Sequence, residues 1–332
     1  MPSIAAASFM RDRQRLLADI GGTNARFAWQ EADQQPLQCI EVLQCQDHAS
    51  LHDAAIFWLK KNGLPLPAHA AIAVACPVQS DRVQLTNNNW SFSIQVLKSQ
   101  LGLSELVVVN DFTALALALP LIEPSHLNQL GADPQKPFAR REPVALLGAG
   151  TGLGVSGLLP GPDGRWVPLS GEGGHISLAV HDDLQYRIWS LLKNKYGHVS
   201  AERVLSGQGI VNIYACLISI DRGEWAEMDM PPSEVTALAL ESRDPTAIQA
   251  LRLFCSWLGS AAGDLALTLG ATGGVFIGGG VAPRLGNFLN ESDFRSRFEG
   301  KGRFSSFLKP IPVWVIDTPS SAALYGASTL LT

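Results

Sequence analysis

Leu106-Val107-Val108-Val109-Asn110-Asp111-Phe112-Thr113-Ala114 is the stretch that decides the architecture. A leucine followed by three valines, with no polar alternation, predicts a central strand covered on both faces. That strand runs into Asn110 and Asp111, and open α/β sheets bind their ligands outside the carboxyl ends of their strands. Phe112 to Leu119 then continues as an Ala/Leu run of good helix formers with almost no polar face. A helix buried between layers or domains is expected there, with Asp111 at the junction. A second reading of Asp111 stays open at this point: a helix N-cap that accepts the N–H of Ala114.

Upstream of this stretch, Leu16 to Ala18 predicts a strand entering Asp19-Ile20-Gly21-Gly22-Thr23-Asn24, and Phe27-Ala28-Trp29 a strand leaving it. Two strands joined by a Gly-Gly turn make a hairpin. Further strands are expected at Ile40 to Leu43 and Ala70 to Ala75, with helices over Ser50 to Asn62 and Ile94 to Leu101. Downstream, Pro120 to Pro143 is rich in Pro, Gly and polar residues and reads as a connection between domains or a surface excursion. Val144 to Leu158 then repeats the theme of strand, Gly/Thr turn (Gly148 to Gly154) and strand. The two glycine turns look like counterparts, one per half. The second half is mostly helical, up to Pro245 to Leu269, with strands at Val275 to Gly280 and Val313 to Ile316 and a small-residue helix at Ala322 to Leu330.

The chain has 332 residues, which favours two domains over one. An apolar fraction of 46% with 17% charged residues indicates globular cores rather than disorder. The formal net charge is −5 and no long Lys/Arg run exists, so neither a nucleic-acid nor an anionic-membrane partner is indicated. No uninterrupted apolar stretch reaches the ~20 residues that cross a bilayer. The charges at Arg11, Asp12, Arg13 and Arg15 follow the apolar start, the reverse of a signal peptide. Five cysteines without a CxxC pair or His/Cys cluster fit free thiols in a reducing compartment. A cytoplasmic location follows as the expectation.

Glycine at a turn lets main-chain N–H groups approach a phosphate, because no Cβ intervenes. One such turn is weak; two counterparts beside an acidic strand end are stronger. The P-loop is missing: Gly300-Lys301 has neither the upstream glycine nor the following Ser/Thr of that motif. Gly171-Glu172-Gly173-Gly174-His175 is too glycine-rich for a helix, and no third ligand stands in spacing to make it a metal site. A carboxylate with an imidazole suits the reading of sugar hydroxyls, which present donor and acceptor together. Glu202, by itself, reads as an exposed carboxylate at a helix start.

The motifs at Asp19 to Arg26, Cys76 to Val78, Leu85 to Phe92, Asn110 to Ala114, Gly148 to Gly154, Gly171 to His175, Ser200 to Gly207 and Gly273 to Gly280 together resemble the bacterial glucokinase family of proteobacterial type, within the hexokinase and actin class. The resemblance runs from about Leu17 to about Gly326. It implies an α/β fold of two ribonuclease-H-like (actin-like ATPase) domains with a central ligand cleft. The small domain would hold residues 1 to 121, completed by about 317 to 332, and the large domain residues 122 to 316. It implies ATP-dependent phosphorylation of D-glucose at the 6-hydroxyl, the first step of glycolysis, with ATP, Mg²⁺ and a homodimer. Asp111 would be the catalytic base. Asn110, Asp111, Glu172, His175 and Glu202 would bind the sugar. Ala18, Asp19, Ile20, Gly21, Gly22, Thr23, Gly150, Thr151 and Gly152 would serve the phosphates of ATP, Gly278, Gly279 and Gly280 its nucleoside, and Asp19 the Mg²⁺ through water.

Two departures stand out: Ala18 replaces a common glycine, and the segment before Leu16 is long and expected to be disordered. Kinases of other hexoses or amino sugars, and a non-catalytic sugar sensor on a kinase fold, are the alternatives. Each substrate is expected to have its own residues, with Gly22 and Gly152 at positive φ on the nucleotide side.

Overall fold

In the computed structural model, which describes residues 13–33, 35–85, 88–131, 135–317 and 321–331, the first apolar run becomes β1 (Arg15–Ile20). β2 (Asn24–Gln30) returns antiparallel beside it, and β3 (Gln38–Gln44) pairs antiparallel with β2. Ser50 accepts the N–H of Asp53 and so starts α1 (Leu51–Lys61), whose Leu51, Ala55, Trp58 and Leu59 are buried. β4 (His69–Val74) lies parallel to β1 on its other side. A short ribbon of β5 (Arg82–Gln84) and β6 (Ser91–Ser93) precedes α2 (Ile94–Gln100), which Ser93 caps. β7 (Glu105–Asn110) pairs parallel with β4, and α3 (Asp111–Ala118) follows without a loop.

The first sheet therefore has the order β3-β2-β1-β4-β7, which corrects the expectation of a central strand at Leu106–Val109. β7 is the outermost strand of that sheet, and all six of its residues are only partly buried. Its apolar run has another cause: both faces are covered. Leu106 and Val108 pack into the cluster containing Trp29, Trp58 and Ile72, while Val107 and Val109 pack on Leu17, Ala71, Ala114 and Leu324. The C-terminal helix Ala322–Ser328 lies against α3 and completes this second layer. Met1–Ile122 with Thr318–Thr332 forms one compact unit, and Glu123–Asp317 forms another. The N-terminal segment expected to be disordered falls, up to residue 12, outside the described residues.

In the second unit β8 (Leu127–Leu130) lies within the polar excursion and was not expected as a strand. β9 (Val144–Ala149) and β10 (Leu153–Pro160) form the second glycine hairpin, and β11 (Trp166–Ser170) pairs antiparallel with β10. The helices α4 (Asp183–Tyr196), α5 (Gly207–Arg222), α6 (Pro232–Leu240) and α7 (Pro245–Leu269) follow. α7 begins and ends where its sequence marks it: Asp244 caps the N–H groups of Thr246 and Ala247, Pro245 opens it, and Gly270 closes it in the left-handed conformation. β12 (Gly274–Gly278) is parallel to β9, α8 (Phe294–Glu299) packs on α7, and β13 (Val313–Ile316) is parallel to β12 and antiparallel to β8.

The second sheet runs β11-β10-β9-β12-β13-β8. Without β8 this is the same arrangement as the first sheet: an antiparallel three-strand meander, then two parallel strands beside its first member. The β1–β2 and β9–β10 turns are thus topological counterparts, one in each half. All five cysteines are free, and burial pushes the Cys216 and Cys255 thiols up to about 12. Among the described residues no helix is long and apolar enough to cross a membrane.

Candidate active site

The carboxylate at the end of β7 is not the cap of its helix. Asn110 is: its Oδ1 accepts Phe112 N–H at 2.9 Å and Thr113 N–H at 3.3 Å, and its Nδ2 donates to Cys76 O at 3.4 Å. Asp111 is the first helical residue, partly buried, and its Oδ1 also accepts Phe112 N–H at 2.9 Å. The carboxylate is thereby oriented without having to close the helix end.

In the first glycine turn, Gly21 N–H donates to Asn24 O at 2.9 Å, and Cys45 N–H donates to Thr23 O at 2.8 Å. Gly21 and Gly22 are partly buried and Thr23 is exposed. Ala18 and Ile20 have no exposed surface and face the core from within β1; they carry the strand that delivers the turn. Asp19 is bound by Arg26, whose Nη1 donates to Oδ2 at 3.0 Å. Burial nonetheless pushes the Asp19 carboxyl up, against the opposing pull of the guanidinium. Among the described residues no group of three or more His, Cys, Asp or Glu side chains could cage a metal ion. One carboxylate beside a turn of main-chain donors does fit Mg²⁺, which keeps several waters and takes its other ligands from phosphates.

In the second unit three segments meet. The turn Gly150-Thr151-Gly152 is closed by Gly150 N–H donating to Gly152 O at 2.8 Å, and Gly207 N–H, at the head of α5, donates to Gly150 O at 2.8 Å. Glu172 precedes and His175 ends a 3-10 turn, Gly173–His175, that packs on β10 and on the 3-10 turn Ala201–Arg203. A two-way pairing, Leu178 N–H to Val199 O and Ala201 N–H to Ile176 O, both 2.9 Å, ties the loop after His175 to the segment bearing Glu202. His198 Nε2 reaches His175 O at 3.1 Å. Glu172 and His175 are exposed, while Glu202 is partly buried and its Oε2 accepts Leu153 N–H at 2.9 Å.

Gly278 ends β12, and Gly279 and Gly280 form the turn beyond it rather than more strand. Gly279 has φ 78, and a Cβ there would overlap Ala149 O, so no other residue serves where β9 and β12 converge. Gly22 and Gly152, expected at positive φ, do not adopt it. A Cβ at Gly152 would instead overlap the Glu202 carboxylate.

The glucokinase family model matches residues 16–332. The chain belongs to the glucokinase family. It is 48% identical over 305 residues to the glucokinase of Neisseria gonorrhoeae, covering 92% of this chain and 91% of that one. With the glucokinase of Aromatoleum aromaticum it shares 46% over 318 residues, covering 96% and 94%. The crystal structure of glucokinase from an Antarctic psychrotroph superimposes with a TM-score of 0.84 at 36% identity, covering 96% of this chain and 98% of that one. Membership of the glucokinase family makes the chain an enzyme that transfers a phosphoryl group from ATP to glucose. The α/β fold with its two mixed sheets belongs to the actin-like ATPase class that this family shares. Leu153, Gly207 and His198 were not singled out in the sequence. They act through main-chain atoms or hold a loop, and side-chain chemistry gives no sign of that.

Proposed function

We propose that Asp111 is the general base of the reaction. It takes the proton of the glucose 6-hydroxyl as that oxygen attacks the γ-phosphorus of ATP in line, giving glucose 6-phosphate and ADP. The observation that carries this reading is the division of labour at the head of α3: Asn110 closes the helix, and Asp111 stands beside it at a strand end with its carboxylate oriented by Phe112 N–H. Asn110, Glu172, His175 and Glu202 bind sugar hydroxyls in this reading. The turns at Gly21–Thr23 and Gly150–Gly152 offer main-chain N–H groups to the phosphates, with Gly278 to Gly280 beside the nucleoside. Mg²⁺, its waters oriented by Asp19, supplies charge neutralisation on those phosphates when bound. The two compact units are the two ribonuclease-H-like domains, and the resemblance supports a cytoplasmic homodimer.

Asp111→Asn tests the base. Turnover should fall by about 10²–10⁴-fold, while glucose affinity by calorimetry stays within about tenfold. More than about a tenth of parental turnover would remove Asp111 from the role. A panel of hexoses and amino sugars in an ADP-release assay tests the substrate.

A further inference from the structure

Glu202 makes one contact that reading a sugar does not require. Its Oε2 accepts the N–H of Leu153, the residue that leaves the Gly150-Thr151-Gly152 turn and begins β10. The segment after Glu202 grips the same turn from the other side, through Gly207 N–H on Gly150 O. Ser206 ties that segment together: its Oγ donates to Glu202 O at 2.9 Å and accepts Gly209 N–H at 2.9 Å. Turn and carboxylate are thus parts of one hydrogen-bonded body. Glu202 Oε1, by contrast, takes no hydrogen bond among the described residues.

We propose that Glu202 couples the two substrates: Oε2 fixes the second phosphate turn through Leu153 N–H while Oε1 receives a sugar hydroxyl, so each ligand tightens the other. This rests on the reading above of Glu202 as a hydroxyl reader and of Gly150–Gly152 as a phosphate turn. The physical source is rotamer freedom. A glutamate has three side-chain torsions to immobilise, and whichever ligand comes first fixes them for the second. By linkage the gain is the same in both directions. A hydrogen bond to an ionised acceptor is also the stronger kind, so its loss from the turn is felt.

Gly152 supplies a second handle. A Cβ there meets Oε2 of Glu202, the movable end of a side chain rather than backbone. Gly152→Ala should therefore fold, keep Glu202, and push its carboxylate off Leu153.

The test is calorimetric titration of AMPPNP with Mg²⁺, with and without saturating glucose, and of glucose with and without AMPPNP. The parent, Glu202→Ala and Gly152→Ala are compared. In the parent each ligand should bind about fivefold tighter when the other is present, and both variants should lose this gain. Glu202→Ala should also bind AMPPNP at least about threefold more weakly with no sugar present, a change that a residue serving only glucose would not cause. Sugar-free AMPPNP affinity equal to the parent's in Glu202→Ala overturns the coupling and leaves the sugar-reading role standing. Unchanged glucose affinity in that variant overturns the sugar-reading role and the coupling with it. If Glu202→Ala does not fold, Gly152→Ala decides: parental coupling there overturns the proposal.

Discussion

Glu172 and His175 stand in water on a loop whose backbone is fixed by the pairing of residues 176–178 with 199–201. An exposed polar side chain contributes little to folding, but it becomes costly to lose once a ligand covers its neighbours. Glu172→Ala should therefore leave the melting temperature unchanged and weaken glucose about tenfold, which is ~1.4 kcal/mol. His175→Ala should weaken it less, an imidazole being a poorer partner than a carboxylate. Calorimetry beside a thermal melt separates the cases: parental glucose affinity in both variants would return this loop to mere surface. At this scale the strand end at Asn110 and Asp111 was legible in the sequence, and which of the two closes the helix was not. Asn110 and Asp111 are both good cap formers, so only the backbone path decides which one closes the helix.

Between the Gly173–His175 turn and α4 the chain is pinned to α7 by a run of polar contacts. Lys301 Nζ donates to the buried Ser260 Oγ at 2.8 Å, and Ser260 Oγ lies 2.7 Å from His181 Nε2. With Lys301 donating, the hydroxyl proton of Ser260 goes to an unprotonated Nε2. Burial pushes the His181 imidazole below its ordinary 6.5; Lys301 and Arg297 add to the shift, and Asp264 and Asp182 oppose it. A depressed value means the unfolded chain binds the proton more readily. The stability tied to His181 is thus complete above about pH 6.5 and is lost as pH falls through the folded value. His181→Gln, which keeps an acceptor but cannot titrate, should flatten the fall in melting temperature between pH 7.5 and 5.5. The same slope in parent and variant would dissociate His181 from it.

Elements differ in how plainly the sequence declares them. α7 is bounded by a cap, a proline and a left-handed glycine, all chemical marks. β8 has half-polar sequence inside a Pro/Gly-rich excursion and exists because β13 offers it an edge, a tertiary cause. β7 was read correctly as covered on both faces and wrongly as central, because cover sets composition while strand order does not.

For the whole molecule the decisive feature is that one unit is built from both ends of the chain. Leu324 and Ala327 of the C-terminal helix have no exposed surface, and they pack on Leu17, Ala28 and Ala71 of the first sheet and on Ala114 of α3. The helix that begins with Asp111 is therefore held by residues more than 200 positions later. Such non-local closure is slow to form and, once weakened, local in its effect. Leu324→Ala removes a fully buried side chain and should cost about 2–5 kcal/mol, as large-to-small core changes do. The loss falls on the unit that carries Asp111, while Glu172, His175 and Glu202 belong to the other. Asn110 shares the weakened unit, so glucose affinity should fall in part, and turnover, which needs Asp111, should fall further. Calorimetric unfolding of this variant should show an early transition split from a later one at the parental temperature. A single transition at the parental midpoint, with parental turnover, would mean that the C-terminal helix is not what holds α3 in place.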